Sequence, residues 1–136
     1  MIVPEVLLDT DTVSYLMRAD PKVTSRAGSY RQARSQFQIS AITQYEILKD
    51  LRARGASTRL RFFEQFCEQH VVLPLTEEII RRAADIYANL HRSGALIGDA
   101  DILIGATALV HGLVVVTNNE AHFKRITGLQ IDNWLT

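Results

Sequence analysis

The chain has 136 residues, 47% of them hydrophobic and 22% charged, with fifteen basic and fifteen acidic side chains and zero formal net charge. That length fits one compact domain over 1–136 and leaves no room for a second sizeable core. A single cysteine, Cys67, excludes an internal disulfide framework and a cysteine zinc cluster. The longest apolar run, 102–116, is too short to span a membrane and contains Gly105, His111 and Gly112. No basic segment opens the chain, and Glu5 and Asp9 arrive too early for a secretory signal, so a soluble, cytoplasmic protein is expected. The zero net charge hides an asymmetry. Between 18 and 61 ten Lys/Arg face three acids, a segment of +7 against −7 elsewhere. This pattern suits an anionic partner for one half and a cation for the other, or simply arginines on solvated helix faces.

In chain order, Val6-Leu7-Leu8 is a short apolar run ending at Asp9 and predicts a buried strand. A short helix over 11–18 follows, capped by Thr10 or Asp11. Asp20-Pro21 is a cap followed by proline at the first helical position, and Val23, Ala27 and Tyr30 form the stripe of the helix it opens. Phe37 to Ile39 is a second strand. A third helix begins near Ser40 to Thr43, carries Glu46, Ile47, Leu48 and Leu51, and stops at Gly55. A fourth, over 57–69, runs on Leu60, Phe63, Phe66 and Cys67, the cysteine reading as a small buried hydrophobe.

Val71-Val72-Leu73 is a third strand, closed by Pro74. Thr76 caps the fifth helix, and Glu77 and Glu78 suit its positive end. Its predicted buried stripe is Ile80, Ala83, Ala84, Tyr87 and Leu90, until Ser93-Gly94 breaks it. The sixth helix, 101–111, is apolar or small on every face and is therefore expected to be buried. Gly112 stops it, Leu113 to Val116 is the clearest strand, a loop or short helix covers 118–125, and a last strand lies near 129–131. Strands alternating with helices predict an α/β domain with a mostly parallel sheet.

Ligands of such sheets bind beyond the carboxyl ends of the strands. Asp9 ends strand one, Glu46 lies early in the helix after strand two, Asp101 opens the helix before strand four, and Thr117, Asn118 and Asn119 follow that strand. Carboxylates gathered at one edge repel unless a cation neutralises them, and hard oxygen donors suit Mg²⁺ or Mn²⁺. Each residue also has a purely local reading. Asp9 caps the next helix; Thr43 to Glu46 fits a capping box with Ile42 and Ile47 as its staple; Asp99 caps the sixth helix; Asp11 is a local cap or outer neighbour; Asn119 is a turn residue.

The stretches Leu7-Leu8-Asp9-Thr10-Asp11, Ser40 to Glu46, Ile97 to Ala108 and Val116-Thr117-Asn118-Asn119, with Phe123, Gly128-Leu129 and Trp134, resemble a PIN domain of the VapC toxin ribonuclease type. The resemblance implies a three-layer α/β/α domain with a short, mostly parallel central sheet of four to five strands. It implies Asp9, Glu46 and Asp101 as catalytic metal ligands for Mg²⁺ or Mn²⁺. Thr117, Asn119, Asp99 and Asp11 then stand in the outer shell or position substrate. It further implies metal-dependent endonucleolytic cleavage of RNA leaving a 5′-phosphate and a 3′-hydroxyl, a cognate VapB-type antitoxin and a homodimer. The sequence departs from the family where a further acid is common: Asn119 and His122 stand there, and Glu120 is out of register. Three acids imply a single tightly held ion.

Two other enzyme or binding classes share part of this pattern. Asp9-Thr10-Asp11-Thr12-Val13 fits the D-x-D-x-[TV] motif of haloacid-dehalogenase-like phosphatases, but Lys49 lies too early and Lys124 too late for their lysine. A receiver-like domain needs an acid after strand three, where Pro74-Leu75-Thr76 stands, and a lysine after its last strand. A catalytically inactive PIN-like RNA-binding domain is the remaining alternative.

Overall fold

The computed structural model describes residues 2–136. The elements are β1 Val6–Leu8, α1 Thr10–Met17, α2 Pro21–Ala33, β2 Gln38–Ser40, α3 Ala41–Ala53, α4 Ser57–Gln69, β3 Val71–Leu73, α5 Glu77–Arg92, α6 Asp99–His111, β4 Val114–Val116, α7 Glu120–Phe123 and β5 Ile131–Asp132. Every strand pairing is parallel, with Leu8 opposite Val116, Val116 opposite Asp132, and Ser40 opposite Leu73.

The bonded ladders form two groups, β1-β4-β5 and β2-β3, although β1 and β2 pack side by side. A local reason lies in the hydrogen bonds. The Glu5 carbonyl and the Asp9 amide bond to β4, so the alternating Val6 amide faces β2, and there the Tyr30 hydroxyl takes it at 3.2 Å. Strands of three residues offer few ladder bonds, and losing one of them opens the seam.

Both faces of the strands are covered, as all-parallel sheets require. Leu7 and Val115 join a cluster with Ile79, Ile86, Ile102 and Ile104 of α5 and α6. Val6, Leu8 and Val116 join a second cluster on the opposite face, with Val23, Tyr30, Ile47 and Phe63 of α2, α3 and α4 and with Trp134. The result is the expected three-layer α/β/α arrangement. α6 is buried over Ile104 to Ala108 and is so tightly packed that a Cβ on Gly105 would lie 2.5 Å from Ile126 Cδ1. It ends at Gly112 in the left-handed conformation, φ 68°.

Four local expectations need correction. α1 starts at Thr10, and its cap is Asp9 rather than Thr10 or Asp11. α3 is capped by Ser40, which accepts from the Ile42 amide; Thr43 is buried inside the helix, so the Thr43–Glu46 capping box does not form. α6 has Gly98 at its cap with no side-chain hydrogen bond, so Asp99 is a first-turn acid and not the cap. α5 buries Ile79, Ala83, Ile86 and Leu90, whereas Ile80 is 52% and Tyr87 44% exposed. That helix carries two adjacent apolar stripes, and the core built around α6 takes the one displaced by one residue. Cys67 is half-buried at the end of α4. No described helix is long and apolar enough to cross a membrane.

Candidate metal centre

Asp9 sits where β1 turns into α1. Its Oδ1 accepts from the Thr12 amide at 2.8 Å, and the Thr12 hydroxyl donates to the Val116 carbonyl at 3.0 Å, tying the turn to β4. The carboxylate is only 3% exposed. Burial pushes its pKa up from 3.8 to about 6; hydrogen bonds from Thr117 and Thr12 offset part of this, and the nearby charge of Asp11 adds to it. A buried carboxylate in that range is one that a cation would relieve.

Glu46 is joined to this turn through the next residue. Thr10 Oγ1 donates to Glu46 Oε1 at 2.6 Å and lies 3.0 Å from the Thr43 hydroxyl. With its proton committed to Glu46, the Thr10 oxygen accepts from Thr43. The early part of α3 is thus fastened to the start of α1, and Glu46 has a tertiary partner instead of the capping role.

Asp101 is reached from the other side. Thr117, fully buried after β4, accepts the Asn119 amide at 2.8 Å. Asn119 Nδ2 lies 3.5 Å from Asp101 Oδ2 and 2.7 Å from His122 Nδ1. His122 Nδ1 is itself 3.3 Å from Asp101 Oδ2. Polar contacts therefore join Glu46 to Thr10, the residue after Asp9, and join Thr117, Asn119, Asp101 and His122 to one another, with Thr117 near enough to Asp9 to lower its pKa.

The remaining sequence candidates stand outside these contacts. Asp11 is exposed and reaches Asp9 through its field alone. Asp99 is exposed and lines a groove with Ala84, Tyr87 and Leu103. Glu120 Oε2 accepts from Asn133 Nδ2 at 3.1 Å and is held toward the C-terminal tail. Thr10, Thr12, Thr43 and His122 contribute contacts that sequence reading did not assign. His122 had two signals, its i, i+3 spacing from Asn119 and its place where the family commonly carries a further acid; Thr10 and Thr12 stand next to acids, and Thr43 entered only through the capping-box reading, three residues before Glu46.

No three His, Cys, Asp or Glu side chains among the described residues form a ready cage for an ion. The donors are hard oxygens at one sheet edge, which fits an ion that keeps several waters and takes one or two protein carboxylates, as Mg²⁺ does.

Of the ten cations between 18 and 61, several are internally engaged. Arg26 pairs with Asp132 at 3.0 Å, Arg34 with Glu5 at 3.4 Å and Arg54 with Asp50 at 3.0 Å. Arg18 and Arg59 border a groove between α1 and α3 that also contains Thr10 and Glu46.

The family model "PIN domain" matches residues 6–129. The chain is 35% identical over 135 residues to the VapC ribonuclease Y4jK of Sinorhizobium fredii, covering 94% of this chain and 96% of the relative. It is 32% identical over 129 residues to the tRNA(fMet)-specific endonuclease VapC of Salmonella typhimurium, with the same coverages. The crystal structure of DNA-bound VapBC from Salmonella typhimurium superposes with a TM-score of 0.86 at 30% identity, covering 97% of this chain and 99% of the other. The fold is thus that of PIN domains, nucleases that are generally metal-dependent. The chain belongs to the PIN-domain family and, within it, to the VapC ribonuclease toxins of toxin–antitoxin systems.

Proposed function

We propose that residues 1–136 act as one domain that hydrolyses RNA phosphodiester bonds with Mg²⁺ or Mn²⁺ held by Asp9 and Asp101, Glu46 completing the site. The observation that carries this reading is the set of polar contacts around Glu46, Asp9 and Asp101, in which the three acids share one sheet edge with Thr10, Thr117 and Asn119. A divalent ion bound there supplies Lewis-acid stabilisation of charge developing on phosphate oxygens and lowers the pKa of a bound water. Asp9, buried and capped, gives a fixed anchor. Glu46, steadied by Thr10, orients the attacking water in line with the leaving 3′-oxygen, which leaves a 5′-phosphate and a 3′-hydroxyl. Thr117 and Asn119 hold Asp101 in position, while Asp11 and Asp99 add only their fields. Arg18 and Arg59, bordering the groove beside Glu46, attract the flanking RNA phosphates. Asp11, exposed on α1, is poorly placed as the second acid of a phosphatase pair.

The VapBC assemblies among the solved relatives support a cognate VapB-type antitoxin as partner. The exposed Ile80 and Tyr87 of α5, with Leu103 of α6 lining the groove beside Tyr87, support a homodimer through that face. Asp101→Asn tests the site: RNA cleavage dependent on Mg²⁺ or Mn²⁺ is abolished while the circular dichroism spectrum is retained. Undiminished cleavage refutes the assignment.

A further inference from the structure

We infer that His122 is a ligand of the same cation, and that its nitrogen makes this site favour first-row transition ions such as Mn²⁺ over Mg²⁺. The inference rests on the metal-nuclease reading above and concerns a residue which that reading leaves unused. Two ligand atoms at right angles, each about 2.1 Å from one ion, stand about 3 Å apart. His122 Nδ1 and Asp101 Oδ2 are 3.3 Å apart, close to that span. With the His122 proton on Nε2, both atoms accept from the Asn119 Nδ2 group, at 2.7 and 3.5 Å. The amide protons thereby hold the place between a nitrogen and a carboxylate oxygen that an ion would take. Rotating the Asn119 amide by half a turn presents its Oδ1 to that point instead, a third donor available without moving the backbone.

The surroundings leave room for this arrangement. The His122 side chain is 41% exposed, so water or a phosphate oxygen can fill the remaining positions. α7 and the start of α6 carry the two residues, so no long loop has to order itself. Glu120, the one acid on α7, is held by Asn133 and does not compete. Imidazole nitrogen is a borderline donor that Mg²⁺ takes poorly and transition ions accept, so one nitrogen among oxygens shifts selection without excluding Mg²⁺.

The experiment uses the untagged full chain. Mn²⁺ binding is followed by the loss of the free aquo-ion signal in electron paramagnetic resonance, Mg²⁺ is used as competitor, and the bound ion is examined by electron spin-echo envelope modulation. The parent protein is expected to show ¹⁴N modulation from a directly bound imidazole. In His122→Asp, Mn²⁺ still binds, the ¹⁴N modulation disappears, and the ratio of Mn²⁺ to Mg²⁺ affinity falls by about tenfold or more. Asp101→Asn removes binding in either background. Bound Mn²⁺ without ¹⁴N modulation in the parent, or an unchanged affinity ratio in His122→Asp, overturns the role of His122 and leaves the metal-nuclease reading standing. Absence of Mn²⁺ binding to the parent overturns both.

Discussion

Replacing Asp9 by Asn separates what this residue costs the fold from what it does for the site. Its carboxyl has a pKa of about 6 in the folded chain against 3.8 as the ordinary value, because burial penalises the charged form. The folded state therefore binds more protons than the unfolded state between those pH values. Stability falls as pH rises through that window and stays lower above it. Each pKa unit corresponds to about 1.4 kcal/mol, so the ionised side chain costs the ion-free protein roughly 2–3 kcal/mol at pH 8. Asn keeps the Oδ1 acceptor for the Thr12 amide and is as good a helix cap as Asp. In EDTA at pH 8, Asp9→Asn is thus expected to raise the unfolding free energy by about 2–3 kcal/mol, and to leave it nearly unchanged at pH 4. Adding Mg²⁺ should stabilise the parent and not the variant, and RNA cleavage by the variant should vanish. Urea denaturation at the two pH values, with and without Mg²⁺, measures all of this. Equal destabilisation of the variant at pH 4 and pH 8 would refute the reasoning, since it would mean that the carboxylate contributes packing rather than buried charge.

Other substitutions address separate parts of the structure. Glu46→Gln should lower RNA cleavage by about 100-fold or more without conferring turnover of a small phosphomonoester; a variant that hydrolyses the monoester would support the phosphatase class instead. Asp99→Asn, exposed and outside the polar contacts of the site, should weaken cleavage only severalfold, and a loss as complete as that of Asp101→Asn would show that the groove beside Tyr87 belongs to the site. Gly105→Val should destabilise by about 1–3 kcal/mol in urea, because its Cβ meets Ile126 Cδ1 at 2.5 Å in a filled core; a neutral result would contradict that close approach. Ile80→Asp combined with Tyr87→Asp should give a folded monomer by light scattering, both positions being exposed in the single chain.

Much of this was legible in the residues because the signals are local. Asp20-Pro21 opens α2, Thr76 caps α5, Gly112 ends α6, and the unbroken apolar character of α6 required burial; each of these is decided within about one turn of chain. The spacing of Asp9, Glu46 and Asp101 relative to the strands likewise pointed to one sheet edge. Tertiary structure decided the rest, because those outcomes depend on what lies opposite. α5 offers Ile79 and Ile86 or Ile80 and Tyr87 as its inner face, and a helix with two apolar stripes has no internal reason to choose between them. Glu46 fits a capping box in the sequence, yet α3 starts earlier, at a Ser40 cap, and the partner Glu46 finds instead is Thr10, 36 residues away. Asp99 and Asp101 look like a pair in sequence, but two residues along a helix point to different faces, one beside Tyr87 and the other beside His122. Local chemistry thus set roughly where the elements lie, though not the caps of α1, α3 and α6, and pointed to the edge the acids reach. Packing across the sheet set which carboxylates acquire partners, since hydrogen bonds spanning 18 to 36 residues exist only after the layers close.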